Sequence, residues 1–388
     1  MRLNPALALS CLVACAGCSQ TSSAPSSLPF ATTFEGQARA AVAYKIVYGF
    51  KGAPDGDTPN GNLIYTGDAF YGTTTTGGGS DLGTLFKLLP SGKETLLYSF
   101  AGGSGGNSPD SGVIALHGSF YGTTSDVAFA VTAAGKPTTL HAFGSGKDGA
   151  TPVLTPMAVL DGKLYGATQL GGSKRCNSGC GTIFGLTIGG KENVVYPFQG
   201  GHDGFVPLGS VIAVNGLLYG TTSYGGANDG GTVFKMTGSG TKTILYSFKV
   251  ASRDGERPSG NLIQFGGVLY GTTAFGGAKD LGTVFALGTS KETVLHPFAG
   301  GADGASPNGS LTDVNDVLYG TTFGGGKFGN GTVFSVTKSG KEQVLYAFKG
   351  GTDGSQPLGG LVNVNGTLYG TTSRGGKANK GTVFSIKP

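Results

Sequence analysis

The side chains with chemical potential fall into a few groups. Six aspartates, Asp55, Asp148, Asp203, Asp254, Asp303 and Asp353, stand before a glycine in a recurring Asp-Gly-x-x-Pro segment. A ring of such carboxylates could hold cations. The plainer use is that each carboxylate accepts bonds from its own backbone and sets a turn, with the glycine taking positive φ. One stands in every copy but the second, where Gly105 replaces it, so the structural use is expected. Cys176 and Cys180 lie in the segment KRCNSGC with no further cysteine or histidine nearby. In an oxidising compartment that pair reads as a disulfide rather than a metal centre. The four histidines, His117, His141, His202 and His296, do not converge in sequence. No HExxH, GxSxG or phosphate-loop pattern occurs. No catalytic residue, cofactor or metal is therefore assigned.

A second group is marked by variation. In loops otherwise built from small residues, Leu170, Tyr224, Phe275, Phe323, Phe328 and Arg374 are large or charged. Exposed on one face, they would form a recognition surface for a protein or glycan ligand. The alternative is that they pack back onto their own loops. The chain has no Trp, which weakens a sugar-stacking reading without removing it.

The elements that must position these residues are repeats. LYGTT and its variants place tyrosines at Tyr71, Tyr121, Tyr165, Tyr219, Tyr270, Tyr319 and Tyr369, about 50 residues apart. GTVF or a close variant begins at Gly83, Gly181, Gly231, Gly282, Gly331 and Gly381, and is lost from the second copy. A strand of the type aromatic-x-Phe, with His as a variant, ends at Phe50, Phe100, Phe143, Phe198, Phe248, Phe298 and Phe348. Each copy holds four short β-rich runs, a to d, joined by tight turns such as Asn215-Gly216 and Asn365-Gly366. A four-stranded meander of this length is one propeller blade. The chain ends just after the seventh GTVF, while a d run, Tyr44 to Phe50, stands alone at the start. Joining them gives an all-β, seven-bladed β-propeller whose last blade is closed by the N-terminal strand. Pro197 and Pro297 in d runs, together with Lys-Glu openings, place d at the outer edge.

Composition agrees with that plan. Of 388 residues 75 are glycine and 17 proline, while 38% are hydrophobic and only 13% charged. Collagen is excluded by the lack of a Gly-x-y register, and coiled coil by the lack of heptads. The 27 basic residues, scattered against 22 acidic ones, show no nucleic-acid footprint.

The domain plan is a signal over 1–17, a Ser/Thr/Pro/Ala-rich tether over 18–43 and the propeller over 44–388. The opening MRLNPALALSCLVACAGCSQ resembles a bacterial lipoprotein signal, which implies acylation at Cys18, with Cys15 as the alternative. It also implies a lipid anchor as the sole membrane attachment, in the cell envelope and at an outer membrane where two are present. The repeat unit, with LYGTT, a Gly-Gly loop, GTVF and Asp-Gly-x-x-Pro in order, resembles the choice-of-anchor tandem repeat GloVer-containing family. That resemblance implies architecture and export and no particular reaction. The reading is thus a monomeric, exported binding or interaction scaffold in the envelope; the alternative is a polysaccharide hydrolase or lyase with its site in the propeller mouth.

Overall fold

The computed structural model describes residues 42–388, apart from Ser145, Leu154 and Ser290. The signal, the tether and both candidate acylation sites, Cys15 and Cys18, lie outside the described residues. Seven antiparallel sheets follow one another around a ring. The sixth blade is typical: Thr312–Val314, Val317–Thr322, Thr332–Thr337 and Glu342–Ala347, strands a to d in order. In the seventh, Val362–Val364, Thr367–Thr372 and Thr382–Lys387 take Ala43–Gly49 as their outer strand. Tyr44 pairs with Ile386 in that closure, and its ring stacks on Tyr346 of the sixth blade with centroids 3.8 Å apart.

Two devices repeat. The central glycine of each YGTT strand faces the Phe of the paired GTVF strand. A Cβ on Gly320 would lie 2.6 Å from the tip of Phe334, so the ring occupies the space that a side chain would need. The Phe that ends each d strand then meets the GTVF Phe of the next blade edge-on or tilted. Phe298 and Phe334 have centroids 5.1 Å apart, and Phe348 and Phe384 5.2 Å. Phe50 and Phe86 continue the pattern across the closure at 5.1 Å. All of these rings are buried. The core therefore lies between blades, and each such pair adds about 0.5–1.5 kcal/mol to simple area burial.

Most threonines of YGTT are consumed by the same frame. The second bonds the Thr of GTVF within its blade, as Thr322 does with Thr332 at 2.9 Å. In three blades the first reaches the chain leading into the inner strand of the next blade, as Thr321 Oγ1 donates to Gly359 O at 3.1 Å, whereas Thr221 Oγ1 and Thr371 Oγ1 are buried without a partner. The second blade, though it lacks GTVF, is complete: Val127–Thr132 forms strand c, and its Phe129 pairs with Gly122. A tight Ser125-Asp126 connection, closed by Thr124 N donating to Val127 O, replaces the long loop.

A feature that the repeat pattern does not announce is a register shift between strands c and d. It falls beside the GTVF Phe, for example between Val284 and Phe285 or Val333 and Phe334. The extra d-strand residue, a β-bulge, re-aims the following Tyr or His toward the Asp-Gly loop.

Candidate functional site

The Asp-Gly loops and the b–c loops meet on one face of the ring, where Phe205 pairs with Tyr224, Ala305 with Gly324 and Ser355 with Arg374. The aspartates are internal clamps there. Asp55 accepts Tyr48 OH at 2.8 Å, Lys51 N at 3.0 Å and Gly56 N at 2.7 Å. Asp203, Asp254 and Asp353 likewise hold Tyr196, Tyr246 and Tyr346 at 2.7–2.9 Å. His141 and His296 take the tyrosine's place against Asp148 and Asp303, at 3.3 and 3.0 Å. Where Gly105 replaces the Asp, a Cβ would sit 3.4 Å from Tyr98 OH, so that junction simply lacks the carboxylate.

Facing each clamp is the opening residue of the next blade's d strand. It is Glu94 beside Asp55, Glu292 beside Asp254 and Glu342 beside Asp303, and all three are pushed up to about 7, chiefly by burial and then by the neighbouring carboxylate. In the fourth blade Lys242 stands there instead, with Nζ 2.7 Å from Asp203 Oδ1 and 4.9 Å from the Phe198 ring centre. Burial pulls its ammonium below the ordinary lysine range, opposed by Asp203.

At the ring axis, the residues just after the Asp-Gly-x-x-Pro prolines converge on a cavity of about 240 Å³. Its wall includes Asn60, Asn62, Thr155, Ser259, Asn308 and Ser310, with Leu208 and Leu358 as apolar members. Close packing of the inner strands sets its width. A Cβ on Gly260 would lie 2.9 Å from Gly309 O. Asn62 Oδ1 accepts Gly360 N at 2.6 Å across the closure, whereas Asn60 Oδ1 and Asn261 Oδ1 are buried without a partner. Beside the mouth, Asp110 accepts Thr75 Oγ1 at 2.6 Å, and burial raises its carboxyl above the usual range. Neutral amides and hydroxyls of this kind can exchange hydrogen bonds with a hydroxyl-rich ligand in either direction.

Outside the mouth, across blades four and five, a row of side chains lies in contact. Phe205 and Tyr224 stack with centroids 5.4 Å apart and planes 25° from parallel. The Arg257 guanidinium carbon lies 5.0 Å from the Tyr224 ring centre and 4.9 Å from that of Phe275, within cation–π range. Reciprocal backbone bonds between Phe205 and Tyr224 and the pairing of Glu256 with Phe275 fix this spacing. Of the six variable positions, then, Tyr224 and Phe275 are joined. Leu170, Phe323, Phe328 and Arg374 stay apart from that row. Leu170 borders a separate hollow of about 760 Å³ with Lys147, Lys174 and Cys176, where Cys176 and Cys180 are disulfide-bonded. Phe328 is 46% exposed and Phe323 half-buried; Arg374 is exposed.

Phe205, Arg257 and the axial asparagines carry no mark in the sequence by themselves. The signal that could have found them is variation: the position after the proline runs Asn60, Asp110, Val153, Leu208, Ser259, Asn308, Leu358 between near-constant neighbours.

A closed seven-bladed ring with its long loops around an axial cavity defines a β-propeller of the repeat-built kind. The chain belongs to the Gloeobacter/Verrucomicrobia repeat family, whose model matches residues 32–178 and 157–384. No curated protein matches it by sequence. Among solved structures it is similar to the extracellular domain of a candidate one-component system from B. thetaiotaomicron, at 10% identity and a TM-score of 0.59, covering 89% of this chain and 40% of that one. It is also similar to a puromycin-hydrolysing peptidase from Mycobacterium tuberculosis, at 13% identity and a TM-score of 0.51, covering 84% of this chain and 52% of that one. The chain thus spans about half or less of the length of either, and at these identities the likeness is one of fold. Among the described residues no helix is long and apolar enough to cross a membrane.

Proposed function

We propose that this protein is an exported, lipid-anchored binding module of the cell envelope that engages a glycan on its long-loop face. The observation that carries the reading is the Phe205–Tyr224–Arg257–Phe275 row, with Phe275 39% exposed, beside an axial mouth of neutral amides and hydroxyls. Aromatic faces suit the C–H faces of sugar rings, and the amides suit their hydroxyls. The alternative ligand is a protein segment anchored on the same row. The test is a screen of envelope and plant polysaccharides against the full chain in detergent. Arg257→Ala and Tyr224→Ala should each weaken binding at least tenfold with an unchanged melting temperature. Undiminished binding by both variants would remove the face from consideration.

Asp110 favours a second reading, a polysaccharide hydrolase or lyase. Burial holds its carboxyl above the usual range beside the mouth, the direction that suits a general acid. Release of shortened or unsaturated oligosaccharides by the wild type, and not by Asp110→Asn, would establish that reading over simple binding.

A further inference from the structure

We propose that His296, Asp303 and Glu342 bind a divalent transition-metal ion, with Zn²⁺ as the best-matched class, that ties blade five to blade six. One ligand atom from each, an imidazole nitrogen and two carboxylate oxygens, lies within 4.8 Å of the other two. His296 Nε2 is 3.0 Å from Asp303 Oδ1, and both side chains are less than one-fifth exposed. The second Asp303 oxygen is held by Ala299 N at 2.6 Å, which orients the carboxylate and leaves Oδ1 toward the histidine. Glu342 Oε1 is buried without a hydrogen-bond partner, as are Glu192 Oε1 and Glu292 Oε1 at the equivalent junctions, so the glutamate brings a carboxylate oxygen that is already desolvated and unused.

The comparison that isolates this junction is internal to the ring. Elsewhere the same place is filled by Tyr48, Tyr196, Tyr246 or Tyr346, whose hydroxyl spends its proton on the aspartate. A neutral phenol so engaged is a poor ligand. Exchange for histidine at position 296 supplies a nitrogen lone pair while the aspartate and the facing glutamate remain. His141 makes the same exchange against Asp148, at the longer distance of 3.3 Å. Among the described residues only the His296 set brings three ligand atoms within 4.8 Å. Zn²⁺ takes N and O ligands at about 2.0–2.2 Å, which places tetrahedral donors about 3.3 Å apart. Binding would draw the donors from within 4.8 Å of one another to that spacing by side-chain rotation, and water would complete the fourth position. The proposal is independent of the glycan reading, because the junction lies on the outer strands, away from the axial mouth.

The experiment uses the full chain in detergent, stripped by chelator and titrated with Co²⁺ followed through its visible absorption, then with Zn²⁺ in competition. The expected result is an intense tetrahedral Co²⁺ spectrum that saturates, is displaced by Zn²⁺ and is accompanied by a rise in melting temperature. His296→Tyr restores the side chain used at the tyrosine junctions. It should therefore keep the metal-free melting temperature and lose the spectrum, as should Glu342→Gln, while His141→Tyr keeps it. An absent Co²⁺ spectrum in the wild type, or one that survives His296→Tyr, would overturn the proposal.

Discussion

At the scale of single residues, the repeat commits most side chains to one task each, and substitutions should report that task. Gly320→Ala would place a methyl group 2.6 Å from the Phe334 ring. Such overpacking costs about 1–3 kcal/mol, and an unfolding free energy lowered by that amount, read from urea titration as a reduced midpoint, is expected. A substitution at Gly366, where nothing lies near the added Cβ but φ is +78°, tests conformation instead of space. Gly366→Ala should cost about 1 kcal/mol, the scale of forcing an L residue into the left-handed region. The proposed lipid attachment is also a single-residue matter: if Cys18 carries it, palmitate labelling of expressed protein should vanish with Cys18→Ser and persist with Cys15→Ser.

At the scale of elements, the junction between neighbouring d strands decides the pH response. Glu94 faces Asp55, and Glu292 faces Asp254; both glutamates sit at about 7 in the folded chain, against about 4.5 when exposed. The folded state therefore binds more protons than the unfolded one between those values. The contribution is fully present below about 4.5 and is lost as pH rises toward 7. The ring should melt at a higher temperature at pH 5 than at pH 8, and Glu292→Gln should reduce the difference. The fourth blade supplies the converse. There Lys242 pairs with Asp203, and Lys242→Glu should create another carboxyl pair, lowering the melting temperature at pH 8 more than at pH 5. Equal losses at both pH values would show that lost packing, and not charge, governs this junction.

At the scale of the whole molecule, closure depends on Ala43–Gly49, which completes the seventh blade through six residue pairings with Thr382–Lys387. Phe50 and Tyr44 carry the core across that join, against Phe86 and Tyr346 respectively. Deleting residues 1–50 should leave the Phe86 side of the first blade and the edge of the seventh exposed. Loss of a single cooperative transition and association on gel filtration are the expected readouts. Survival of one sharp transition at the wild-type temperature would mean that six complete blades suffice.

How much of this was legible depended on whether a property is local. Blade number, strand order and closure follow from the sequence alone, because hairpin turns, alternating apolar runs and a recurring glycine are set by neighbours a few residues apart. Even the second blade folds without GTVF, since Phe129 opposite Gly122 preserves the one pairing that matters. The aspartates, too, were readable as turn-setting groups, because six of the seven copies repeat them; the Tyr or His that each also holds was not. The bulge beside each GTVF Phe was not readable, as it depends on how two strands slide under the twist of a packed sheet. Nor was the Tyr224–Arg257–Phe275 row, whose members are contributed by different loops of two blades. The approach of Glu342 to His296 and Asp303 likewise exists only because the packing of adjacent blades sets each outer strand against the next. Only the tertiary structure decides which residues 30 to 50 positions apart share one small volume, since that outcome belongs to the packing of blades and not to any one of them.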